Sequence, residues 1–219
     1  MKTKVILTVI TCLVLISSCT VLSFYPLYTN DELIKDDRII GQWQSIKSES
    51  TGVGPSYSDT LIWEISFKKE IWKKKLNNPF DRGDKKIPNQ FTYTLNIYDK
   101  SSPEDSAEFR LHLVKLGGKI YFDFFPEEWN KNNNILAVHL MSVHTFAKIE
   151  INDSIEIQWF DSEWLQHLFD ENKIRIKHEN NGAYTLLTAK PEELQKFIIK
   201  YSVDKEAFSE DMNYILNRI

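Results

Sequence analysis

Cysteine is nearly absent: the 219-residue chain has two, Cys12 and Cys19, so nothing beyond residue 19 can form a disulfide. Stability must come from a buried core, and roughly 200 residues suffice for one domain that hides most of its apolar surface. Glycine and proline are scarce, at seven each, while aromatics make up 13%, which excludes a low-complexity stalk. Excess positive charge is also missing. The formal net charge is −4, and a nucleic-acid partner usually requires a basic domain. The chain contains no Cys-x-x-Cys, His-Glu-x-x-His, phosphate-binding glycine loop, Gly-x-Ser-x-Gly or acidic calcium loop. Common hydrolase and nucleotide chemistries are thereby disfavoured, and no cofactor is implied.

What is present begins at the N-terminus. Lys2 and Lys4 precede an uncharged apolar stretch from Val5 to Ile16, and Ser17-Ser18-Cys19 follows. These are the charged, apolar and small-residue regions of a secretory signal. Ile16-Ser17-Ser18-Cys19 resembles the lipobox of bacterial lipoproteins. That resemblance implies cleavage before Cys19, lipidation of its thiol with diacylglycerol and palmitate, and a membrane partner reached through that lipid. The domain would then sit in the cell envelope, on the exocytoplasmic side. Loss of Lys2 and Lys4 would take the formal charge from −4 to −6. Thr20 is not the aspartate that marks inner-membrane retention in some bacteria, which favours the outer membrane. The competing reading is an uncleaved signal anchor, since no charge occurs between Val5 and Asn30 and about 20 apolar residues can span a bilayer. Ser17, Ser18 and Pro26 count against it.

The expected organisation is a signal peptide over 1–18, a lipidated tether over 19–30 and one β-rich domain over 31–219 with helices near its C-terminus. Phe24 to Tyr28 reads as a docking segment on the domain edge, and Asn30 to Lys35 as a capped helical turn leading into a strand at Ile39 to Trp43. Period-2 alternation then dominates, the mark of a sheet with one buried face. It runs through Leu61–Phe67, Phe91–Ile97, Ala107–Leu113, Ile120–Phe124, Val143–Ile151 and Ile155–Trp159, with weaker strands at 173–177 and 183–187. Gly117-Gly118 supplies the positive-φ residues of a hairpin turn. About eight strands in meander order predict a mainly β fold, an antiparallel barrel or sandwich. Asp161 or Ser162 caps a short helix carrying Trp164, Leu165, Leu168 and Phe169. Pro191 opens a second with Leu194, Phe197, Ile198 and Tyr201 at helical spacing. A last helix is expected from Asp204, with Phe208, Met212, Ile215 and Ile219 on one side.

Gly41-Gln42-Trp43, ahead of such a meander, resembles the Gly-x-Trp start of lipocalins and related calycin barrels. The resemblance makes Gly41 and Trp43 structural, with the tryptophan plugging one end and the open end holding a small apolar ligand. Neither the family's Thr-Asp-x-x-Tyr motif nor a late-strand arginine to stack on Trp43 is evident. Tyr25-Pro26, Gly41-x-Trp43 and Leu187-Thr188-Ala189 are also similar to envelope lipoproteins of unknown activity.

Several residues carry candidate chemistry. Asp123 lies among aromatics, where a partly desolvated carboxylate serves as a general acid or orients a ligand; alternatively it points outward or pairs with a lysine or arginine. His139 and His144, five apart, would face opposite sides of one strand and share no metal. Trp72, Lys73, Lys74 and Lys75 end a cluster that starts at Lys68, suited to anionic head groups or phosphorylated glycans, or to a solvated edge that deters aggregation. Trp72 and Trp129 are candidates for stacking on sugars. Asp59-Thr60, Asp105-Ser106 and Asp153-Ser154 resemble acceptors of an envelope O-glycosylation system. These features leave two functional classes open: a small-ligand-binding or accessory barrel, and an envelope assembly module with a filled core and a protein partner. An enzyme using Asp123 is the third.

Overall fold

The computed structural model describes residues 20–47, 60–67, 91–127, 141–182 and 184–219. Eight antiparallel strands close into a barrel: β3 (Gly41–Lys47), β4 (Leu61–Phe67), β5 (Thr92–Asp99), β6 (Ser102–Leu116), β7 (Lys119–Pro126), β8 (His144–Ile151), β9 (Ser154–Phe160) and β12 (Phe208–Arg218). The first seven follow in chain order, and closure comes from β12, which pairs with β9 on one side and β3 on the other. Gly117 and Gly118, at φ 55° and 79°, make the tight β6–β7 turn. Inward positions form one continuous core that includes Trp43, Trp63, Tyr93, Leu95, Leu111, Phe122 and Phe124.

Between β9 and β12 the chain leaves the barrel and packs on its outside. Helix α1 (Ser162–Asp170) is capped by Asp161, whose carboxylate accepts from the amides of Glu163 and Trp164. Helix α2 (Pro191–Tyr201) starts at its proline and buries Leu194, Phe197 and Ile198. Two short strands, β10 (His178–Asn180) and β11 (Thr185–Leu187), lie between them and pair with each other. They join the barrel sheet through β1 (Leu22–Ser23), which is parallel to β11 and antiparallel to β8.

Four expectations are corrected. The C-terminal helix from Asp204 is a single 3-10 turn, Lys205–Ala207, followed by strand β12. A gap between β9 and β3 would leave two rows of backbone groups unpaired, and filling it outweighs a helical spacing of apolar residues. Tyr214 and Leu216 therefore pack inward while Ile215 stays 43% exposed. The weak strand expected at 173–177 begins only at His178. Residues 21–30 are no tether: Val21, Leu27 and Tyr28 are buried, and this strap belongs to the fold. The expected helical turn reduces to a non-helical turn at 30–32, followed by β2 (Leu33–Ile34), which pairs with β6, and a 3-10 turn at Asp37–Ile39.

One barrel end is closed around Trp43, which is 1% exposed and donates its indole N–H to the Ile39 carbonyl at 2.8 Å. The late-strand arginine that the sequence hid is Arg218. Its guanidinium lies 4.2 Å from the Trp43 ring and donates to the carbonyls of Ile40 and Arg38. Gly41 makes room for it. At φ +139° its backbone favours glycine, and a Cβ there would stand 2.6 Å from Arg218 Nη1.

Gly41→Ala should therefore lower unfolding free energy by about 1–3 kcal/mol through strain and the displaced arginine. Arg218→Ala should cost about 1–2 kcal/mol through the lost cation–π contact. In urea titrations the double variant should lose less than the two single losses together, because removing the guanidinium relieves the clash. Additive losses would separate the two residues.

Candidate functional site

Alternation along β6, β7 and β8 sends Leu111, Leu113, Phe122, Phe124 and Ala147 inward. His112, Val114, Tyr121, Asp123, His144 and Phe146 consequently lie on the outer face. An outer barrel face ordinarily meets water. Here the strap and the two helices cover it, and Val114, Tyr121 and Phe146 join Val21, Leu27, Tyr28 and the helix residues in a second core.

Asp123 is fully buried in that interface. Its Oδ1 lies 2.8 Å from His144 Nδ1, and its Oδ2 accepts the Leu27 backbone N–H at 2.8 Å. His112, its cross-strand neighbour on β6, places Nε2 3.2 Å from Thr92 Oγ1 and its ring 4.6 Å from that of Tyr28. Thr92, His112, Asp123 and His144 thus form a buried polar row beneath the strap. An aspartate oriented on a histidine is the geometry of an acid–base couple. However, both side chains are covered, and the Ser23 hydroxyl, on the residue opposite His144, donates to the Tyr25 carbonyl at 2.7 Å. The arrangement is a clasp: one carboxyl oxygen of Asp123 is bonded to the strap backbone and the other to the imidazole.

A second clasp ties the strap to α2. Glu32 Oε2 accepts from the Thr29 amide at 2.8 Å, the Thr29 hydroxyl at 2.7 Å and Gln195 Nε2 at 3.0 Å. Gln195 also donates to the Leu27 carbonyl at 3.2 Å. Burial pushes the Glu32 carboxyl up, but the Thr29 and Gln195 donors outweigh it and hold the group below its ordinary value.

The barrel interior carries a different kind of polar feature. Phe124 stacks on Trp159 at 4.9 Å and meets Trp63 edge-on at 6.1 Å, with Phe109 and Tyr214 nearby. The Nε1 atoms of Trp63 and Trp159 are buried and have no hydrogen-bond partner among the described residues. Trp43, on the same inner face, has its N–H satisfied. Burial also pushes the Tyr214 phenol up. Two hollows among the described residues lie outside the barrel. One of about 430 Å³ is lined by Asp161, Lys205, Glu206 and residues 208–210, and one of about 530 Å³ runs between α2 and residues 173–177.

Of the residues singled out in the sequence, Cys19, Trp72, Lys73, Lys74, Lys75, Trp129 and His139 lie outside the described residues. Asp123 and His144 are brought together, and its partner is the histidine rather than a lysine or arginine. His112 was missed as a site residue, whereas Phe24 to Tyr28, expected to dock on the domain edge, does so with Leu27 and Tyr28 buried. No group of three or more metal-ligating side chains occurs among the described residues, and no described helix is long and apolar enough to cross a membrane. A scan against protein-family models and searches of the curated proteins and of the solved structures found no match.

Asp123→Ala should destabilise the protein by about 3–5 kcal/mol, since it strands a buried imidazole and the Leu27 amide. Limited proteolysis should then cut within residues 20–28 before it cuts the barrel. Glu32 has a lowered folded-state pKa, so its contribution is full above the unfolded value near 4.5 and is lost as pH falls through the folded value. The stability gap between the parent and Glu32→Gln, followed in urea at successive pH values, should accordingly narrow on acidification below that point. A constant gap would remove Glu32 from the acid response.

Proposed function

We propose that the protein is a lipid-anchored cell-envelope barrel, attached through Cys19, that holds a small, largely apolar ligand bearing a hydrogen-bond acceptor inside the barrel. The reading of the anchor rests on Lys2 to Cys19, and the proximity of the fold supports it, since Val21, two residues on, is already buried. The observation that carries the ligand is the pair of unpaired indole donors on Trp63 and Trp159 around Phe124. An unsatisfied buried N–H costs about 1–3 kcal/mol, and a carbonyl or carboxylate placed between the rings would recover it. Aromatic walls with a few convergent polar groups are the usual lining of a small-molecule site. A second reading, an envelope interaction module with a filled core, is favoured by the close ring contacts themselves.

Mass spectrometry of the full-length protein extracted from its own membrane separates these. Denaturing spectra should show an acylated Cys19 and no residues 1–18; an intact, unlipidated N-terminus would remove the anchor. Native spectra should show a noncovalent small-molecule adduct. Trp63→Phe keeps the ring and deletes the donor, so it should weaken adduct retention several-fold while leaving the ligand-free fold as stable or slightly more so. A bare mass in the parent would transfer support to the filled-core module.

A further inference from the structure

The groove of about 530 Å³ between α2 and residues 173–177 is built from two amphipathic edges. Residues 173–177 alternate: Lys173, Arg175 and Lys177 are exposed, while Ile174 and Ile176 are half-buried against the outer core. On α2, Lys196 and Lys200 stand one turn apart beside Phe197 and Tyr201. Five cations thus line the groove against one carboxylate, Glu193, in a chain whose net charge is −4. Lys173 is engaged by Glu171 at 2.8 Å, and Lys200 lies over the Tyr201 ring at 4.6 Å. Arg175, Lys177 and Lys196 make no ion pair among the described residues.

Two neighbouring features favour a bilayer over an acidic polypeptide as the occupant. On the other flank of the α2 lysines, Ile199 and Val203 are 44% and 76% exposed, an apolar pair beside cations of the kind that interfacial helices insert. The chain also leaves the fold close by. Leu22 lies level with Leu186, which lies level with Glu179, so strand spacings and rise per residue place Thr20 about 16 Å from Lys177. A lipid on Cys19 would keep this face within reach of the membrane surface.

We infer that this face docks on anionic phospholipid head groups, with Arg175, Lys177, Lys196 and Lys200 holding the phosphates and Ile199 and Val203 entering the interface. It rests on the lipid-anchor reading for its proximity to the bilayer, but not for its chemistry. Each near-surface cation multiplies affinity for an anionic membrane by about fivefold.

The test uses full-length protein reconstituted into vesicles of phosphatidylcholine alone or mixed with phosphatidylglycerol. Flotation reads the anchor, and the rate of lysine acetylation, residue by residue, reads the groove. Exposed Lys100, in the β5–β6 turn, is the internal reference. The protein should float with both vesicles, and acetylation of Lys177, Lys196 and Lys200 should slow several-fold only on phosphatidylglycerol, with Lys100 unchanged. Arg175→Glu, at an exposed and unpaired position, should abolish most of that slowing and leave circular dichroism unaltered. Equal groove rates on both vesicles, or slowing that Arg175→Glu retains, would overturn the docking face while the anchor stands. Flotation and slowing on phosphatidylglycerol alone would support the face and remove the anchor; flotation on neither would remove both. Slowing by added polyglutamate but not by phosphatidylglycerol would reassign the groove to an acidic polypeptide.

Discussion

Asp123 projects from the outer face of β7, where a carboxylate normally meets water, yet it is fully buried. Removing that charge from water costs several kcal/mol unless charge and hydrogen bonds replace the solvent. His144 and the Leu27 amide supply hydrogen bonds to its two oxygens, at 2.8 Å each. The amide bond fixes where the strap crosses the barrel, and once it does, Val21, Leu27, Tyr28 and Leu33 become core residues. The strap in turn gives α2 a surface to bind, through Gln195 on Glu32 and the Leu27 carbonyl. β1 also depends on that position, and among the described strands it links β10 and β11 to the barrel sheet. The outer layer is therefore a chain of dependencies that starts at one buried carboxylate.

The barrel closes by a separate device. Arg218 reaches back from the end of β12 to cover Trp43, and it does so through space that only a glycine at 41 leaves open. Strand closure and end closure thus use the same C-terminal segment. Register in β12 fixes both, because Arg218 pairs with Trp43 in the ladder while Leu216 and Tyr214 fill the core below it.

How much of this was legible in the sequence follows from which forces act locally. The alternation of Leu61 to Phe67, or of Tyr93 to Ile97, is a local consequence of a half-buried sheet, and those faces were found correctly, whereas Phe91, expected to share the second, precedes β5 and packs on the outer core. The Asp161 cap and Pro191 start are equally local. Phe208, Met212, Ile215 and Ile219 misled because helical spacing competes with a barrel seam that pairs residues as far apart as Trp43 and Arg218, and no window on the sequence contains that seam. Alternation likewise placed Asp123 outside, but a face assignment says nothing about what is later laid over it. The indole donors of Trp63 and Trp159 were illegible for the same reason, since hydrogen-bond satisfaction belongs to the assembled interior.

The three described tryptophans of the inner face differ in how their indole N–H is satisfied. Trp43 shows that the barrel has carbonyls to offer an indole N–H where the plug requires one. Trp63 and Trp159 are packed as tightly against aromatic rings, and phenylalanine would supply similar packing without the donor. Two unpaired donors around one phenylalanine therefore subtract from stability in the empty barrel. A core selected for packing alone would shed that cost, whereas a site that recognises an acceptor-bearing molecule would keep it. Among the described residues the interior is thus one place where packing alone does not account for the choice of residues.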